Sequence, residues 1–136
     1  MATISSHGSV TQERLVNAGM WTGQVVLATV FAGAGIVALS LPAERLAESM
    51  PIGDAVPVLF VRVIGALQLA AVLALMLPTA SRTLSRVAAG AAAGLAVLML
   101  ATAMAHTARG ELHALPTTLA LSLLALFCAW ARLRPH

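Results

Sequence analysis

The chain has 136 residues, 60% of them hydrophobic and only 10% charged, with a mean hydropathy of +0.92, far from the roughly half-apolar, quarter-charged norm that a soluble domain shows. A chain this short has too little interior to hide that much apolar surface, so the excess must face lipid or a partner, and an ordinary soluble domain is excluded. The net charge of +3 comes from Arg residues scattered singly or in pairs without Lys, which excludes a nucleic-acid-binding stripe, and the single Cys128 excludes dithiol redox chemistry and thiolate metal clusters within the chain.

In chain order, Ser9 and Gln12 have the spacing of a capping box and predict a helix starting near Thr11. Trp21 to Leu41 is uncharged and has the roughly 20 residues that cross a hydrocarbon core. Arg14 before this run and Ala32-Gly33-Ala34 inside it imitate a signal peptide. The residues after Leu41 make further apolar membrane sequence and no polar mature domain, so a first membrane span is expected.

Between Leu41 and Met50, the residues Ala43, Leu46, Ala47 and Met50 fall on one side of a helix, with Glu44, Arg45 and Glu48 on the other, the pattern of a short amphipathic helix in the interface. Pro51, Gly53 and Asp54 are expected to break it. The second span is expected from Pro57 to Leu77 and carries Arg62 and Gln68; Pro78 ends it. A loop from Thr79 to Arg86 leads to a third span, Val87 to His106, in which Gly90 and Gly94 form a GxxxG and Ala101 and Ala105 repeat the small-residue spacing. Small residues let helix backbones approach in lipid, which makes this span the expected centre of packing. Arg109, Gly110, Glu111 and His113 form a polar turn, and Leu115 to Ala131 is the fourth span, closed by Arg132 and Arg134. The reading is an all-α four-helix membrane bundle in a single domain.

Arg14, Arg82, Arg86, Arg132 and Arg134 fall at one end of these spans, Arg45 and Arg109 at the other, which places both termini in the cytoplasm and the chain, as a multi-pass protein, in a bacterial inner membrane. Arg62 lies five residues past Pro57, about 7 Å below the outer boundary at about 1.5 Å per residue. His106, Thr102, Thr118 and Ser40 lie in the same outer half and Gln68 near mid-depth, while the inner half offers only Gln24 and Thr29. A polar vestibule open to the outside is therefore expected, with Arg62 and His106 sharing it. Their alternatives are a snorkelling Arg62, an interfacial His106 bonded to a neighbour, and a Gln68 bonded between helices. The His106–His113 spacing fits no standard zinc or haem motif, and no cofactor is expected.

The runs Phe31-Ala-Gly-Ala-Gly-Ile, Val61-Arg62-Val-Ile-Gly65-Ala-Leu-Gln68-Leu with Leu-Met-Leu-Pro78, and Met104-Ala-His106-x-x-Arg109-Gly110-Glu111 together resemble the DoxX-like family of four-helix membrane proteins, over roughly residues 18–134. That family shows R-x-x-G-x-x-E in the second span and a Lys after the first; here Arg62 and Gly65 match, Gln68 stands in place of the Glu, and Ser40 lies near the place of the Lys. The resemblance implies the fold, and it implies association with membrane oxidoreductases that pass electrons to quinone.

Two functions fit these residues. One is an accessory membrane subunit that docks a redox or related partner protein, or a second copy, through its small-residue helix faces. The other is a small membrane enzyme acting on a lipophilic molecule, quinone-like or an epoxide or ring-forming substrate. In that case His106 would be the acid or base and Arg62 the anion stabiliser, with Gln68, Thr102, Ser40, Thr118 and His113 around the ligand. A transporter is least favoured in a chain of this length.

Overall fold

In lipid a backbone must satisfy its own hydrogen bonds, and a chain of apolar runs punctuated by Pro and Gly does so as separate helices. The computed structural model of the chain describes residues 4–49, 56–78 and 81–134. It contains α1 (Ile4–Ser40), α2 (Ala43–Ser49), α3 (Val58–Leu75), α4 (Arg82–Ala108), a 3-10 turn (Leu112–Ala114) and α5 (Leu115–Leu133). Among the described residues, four segments are long and apolar enough to cross a membrane: Val10–Ser40, Val58–Leu75, Arg82–Ala108 and Leu112–Leu133.

The helix ends fall within two residues of expectation except at the starts of α1 and α4. Helix α1 begins at Ile4 and runs for 37 residues, so Ser9 lies inside the helix and not at its start. At about 1.5 Å per residue α1 is about 55 Å long, well beyond a hydrocarbon core of about 30 Å; Thr11 to Arg14 are exposed on its projecting part. Helix α4 starts at Arg82, five residues before the expected Val87, because Ser81 is a true N-cap whose hydroxyl accepts from the Leu84 N–H at 3.2 Å, a bond worth about 1 kcal/mol to a helix start. The short α2 forms with Leu46 buried against Ala38 and Val61 and with Glu44, Arg45 and Glu48 exposed. Its expected end at Met50 and the breakers Pro51, Gly53 and Asp54 lie outside the described residues, as does Thr79.

Helix α1 packs most extensively on α3, and α4 on α5, with lesser contacts closing the bundle between α1 and α5 and between α3 and α4. The core runs through all four long helices: Leu27 and Phe31 from α1, Leu75 from α3, Leu95 and Ala96 from α4, Ala125 and Cys128 from α5. Cys128 is a buried thiol, as its apolar surroundings in the sequence suggest.

The close-packed seam is not the one expected. A Cβ on Gly90 or Gly94 would meet nothing within 4 Å, and both glycines are exposed. Helix α4 instead turns its alanines inward, with Ala88, Ala89, Ala92, Ala96 and Ala103 buried. The tight crossing joins α1 to α3: a Cβ on Gly35 would sit 2.9 Å from the Gly65 carbonyl oxygen, and one on Gly65 only 2.7 Å from the Ala38 Cβ. Two backbones meet there with no room for a side chain.

Candidate functional site

Besides Ser122, whose buried hydroxyl donates to the Ala96 carbonyl across α4 and α5 at 3.4 Å, the polar groups that bear on function lie in the turn after α4, in the groove between α3 and α4, and at the end of the bundle where α1, α3 and α5 meet.

Helix α4 ends at Ala108 with Arg109 as its C-cap, and Gly110 takes φ +75°, a left-handed conformation that glycine adopts without steric cost. The Gly110 N–H donates to the Thr107 carbonyl at 3.1 Å and the Glu111 N–H to the His106 carbonyl at 2.9 Å, the double closure of a glycine-terminated helix. This turn folds Glu111 back over the last helical residues, so that its Oε2 lies 2.7 Å from His106 Nδ1. A carboxylate can only accept, so Nδ1 carries the proton and Nε2 is the free ring nitrogen. Arg109 Nε lies 3.7 Å from the other carboxylate oxygen. The hydrogen bond from His106, helped by the charges of Arg109 and His113, holds the Glu111 carboxyl below its ordinary range.

The structure does not pair Arg62 with His106. Arg62 is exposed on α3, and among the described residues no hydrogen bond or ion pair joins it to His106, whose partner is Glu111. The hydroxyls of Thr102 and Thr118 donate to carbonyls of their own helices, Leu98 at 2.9 Å and Leu115 at 3.0 Å. Ser40 and His113 are exposed. A helical Thr has the carbonyls three and four residues back within reach, so these two hydroxyls bond within their own segments.

Gln68 does not make the interhelical hydrogen bond that was its simplest reading. Among the described residues its amide has no partner, and it lines a cavity of about 440 Å³ between α3 and α4 whose other walls are apolar, among them Leu67, Gly94, Val97 and Ala101.

The one buried charge among the described residues lies at the opposite end of the bundle from His106. Arg132, 3% exposed, reaches from the last turn of α5. Its Nη1 donates to the Leu77 carbonyl at 3.0 Å, and its Nη2 to the Leu75 carbonyl at 2.8 Å and to Gln24 Oε1 on α1 at 3.0 Å. Trp21 faces the guanidinium at 5.8 Å. A cation set on the C-terminal carbonyls of α3 complements the negative end of that helix. Arg132 was expected at the headgroups as a topological charge, and the structure turns it inward as a clamp on three helices. The signal was a lone Gln24 in an otherwise apolar stretch and an Arg still within the helical register of the last span. Glu111 was the other residue missed; its distance from His106 across an Arg-Gly turn is the spacing that a glycine-terminated helix closes.

Four long apolar helices packed into one bundle among the described residues define a small multi-pass membrane protein. The chain belongs to the DoxX-like family, whose model matches residues 22–129. No curated protein and no solved structure matches it.

Proposed function

We propose that the chain is an accessory subunit of a bacterial inner-membrane complex, with both termini cytoplasmic and α2 lying in the outer interface, which docks a membrane redox or related partner through α4. The observation that carries this reading is the exposed face of α4 at Gly90 and Ala93, outside the α3/α4 groove, where nothing lies within 4 Å of an added Cβ on Gly90. Small residues on a lipid-facing helix let a second helix approach until backbone dispersion contacts replace the missing hydrophobic drive.

The orientation is supported by the exposed Arg14, Arg82, Arg86 and Arg134 at the end of both termini, against exposed Arg45 and Arg109 at the other, a bias that keeps its sense after Arg132 is removed from the count. Trp21 and Trp130 lie at the same end, with Arg134 stacked 3.7 Å above the Trp130 ring, the composition of a membrane–water boundary. The test is purification in mild detergent from the native host, with and without Gly90→Leu. A membrane partner recovered in fixed stoichiometry and lost in the variant is the expected result; an unchanged yield of partner in Gly90→Leu, or a lone monomer in both, would reject docking through this face.

One observation favours the enzyme reading as the second choice. His106, oriented by Glu111 at 2.7 Å with Nε2 free, has the arrangement of a general base held by a carboxylate, though Arg62 is not beside it. Turnover of a lipophilic substrate that is lost in His106→Ala and reduced in Glu111→Gln would move the assignment to this site.

A further inference from the structure

We propose that the groove between α3 and α4 binds an elongated, lipid-soluble molecule carrying one carbonyl or hydroxyl group, with that group held by the Gln68 amide. The groove has a volume of about 440 Å³, within the range of small-molecule sites. Its α4 wall runs from Ala91 to Ala101, about 15 Å at about 1.5 Å per residue, so it follows the helix axes for about half of a hydrocarbon core of about 30 Å. This shape suits a molecule lying along the helices.

Gln68 supplies the specificity. It lies ten residues into a span of 18 residues, near the middle of the membrane, and is the one polar side chain among those lining the groove. Its amide offers one acceptor and two donors, none of them used within the described residues. Water does not satisfy an amide at that depth, and leaving it bare in hydrocarbon is unfavourable. Bulk phospholipid does not serve either, because its carbonyls stay near the interface. A ligand with a single polar atom and an otherwise apolar body completes the site.

Concavity decides against a second copy as the occupant. Two such grooves facing each other across a two-fold axis would enclose a void and leave their walls without contacts, whereas an inserted chain fills one.

The experiment uses the full chain in lipid nanodiscs and two photoreactive probes, a long-chain alcohol bearing a mid-chain diazirine and the matching alkane without the hydroxyl. The expected result is saturable labelling by the alcohol on α3 and α4 peptides that line the groove, competed by unlabelled alcohol. Gln68→Leu should lower alcohol labelling about 3- to 10-fold, the range of one hydrogen bond within a membrane, and leave alkane labelling unchanged. Ala101→Phe fills the outer half of the groove from an exposed position and should abolish saturable labelling; Gly94→Leu, with open space at its Cβ, should do the same should the first variant fold poorly. Non-saturable labelling spread over all lipid-facing helices, equal labelling by alcohol and alkane, or a Gln68→Cys variant that forms disulfide-linked dimers through the groove while the probe fails to label would each overturn the proposal.

Discussion

Replacing Arg132 with Met tests the buried clamp directly. Met keeps much of the length and apolar stem of Arg and removes the guanidinium, so three hydrogen bonds, to Leu75, Leu77 and Gln24, disappear together. The Gln24 bond is between side chains on two helices, a class that averages about 0.6 kcal/mol in membrane proteins. The two carbonyl bonds come from a cation on a helix C-terminus, about 1.5–3 kcal/mol for a charged hydrogen bond and up to about 2 kcal/mol for the dipole in a partly buried geometry. Against these stands the desolvation of the buried cation, which Met abolishes. The uncompensated remainder is what Met leaves behind: a buried Gln24, 0% exposed, and a Leu75 carbonyl deprived of this donor, together about 2–4 kcal/mol. The assay is equilibrium unfolding in mixed micelles, with Gln24→Leu and the double variant completing a cycle. Gln24→Leu in the Arg132→Met background should restore about 1 kcal/mol, because it removes the orphaned amide. Stability of Arg132→Met within about 0.5 kcal/mol of the parent, or strictly additive effects of the two substitutions, would show that the clamp contributes no net stability.

Gly35→Val and Gly65→Val should each destabilise the bundle by about 1–3 kcal/mol, the usual cost of overpacking, since the added Cβ meets backbone or Cβ atoms at 2.9 and 2.7 Å; Gly90→Ala should leave detergent stability unchanged or raise it by up to about 1 kcal/mol through helix propensity. The Glu111 carboxyl is held below its ordinary range, so the unfolded chain binds its proton more readily than the folded one. The pair therefore contributes stability above the ordinary value of 4.5 that is lost as pH falls through the lower folded value; carboxyl NMR should show the depressed titration, and Glu111→Gln should remove this acid-side loss from the melting profile. A cytoplasm-only reporter fused after residue 136 or between 79 and 86 should be active and one fused at Gly53 or Gly110 inactive; activity at Gly53 would reverse the orientation.

The fold was legible because in lipid the backbone constraint is severe: apolar runs of the right length with at most one charge, bounded by Pro42, Pro57 and Pro78 and by the Arg109–Gly110 turn, leave few alternatives to four helices. The packing of those helices was less so. Gly35, Gly65, Gly90 and Gly94 are equally small, and periodicity along one helix does not say which small face meets a neighbour and which meets lipid. Residue type fixes how close two backbones can come; the partner helix fixes where. The Gly35–Gly65 crossing depends on α1 and α3 meeting at one height, a relation between two separate segments that no single-helix pattern carries.

The same distinction explains the polar groups. Depth along each span suffices to place Gln68 in mid-span and His106 at a helix end, yet depth is one coordinate and a site needs the helix azimuth as well. Thr102 and Thr118 could satisfy themselves on their own helices, so nothing drew them together. Arg132 could not, because an arginine in the last turn of an apolar helix has no carboxylate nearby among the described residues and finds acceptors only where another helix ends. The carbonyls of Leu75 and Leu77 at the end of α3 are such a place, and Gln24 provides the third acceptor. The buried charge is thus located by the one feature of α3 that Pro78 imposes, its termination within reach of α5, and shortening or extending α3 by one turn should unseat Arg132 even with every residue of the clamp retained.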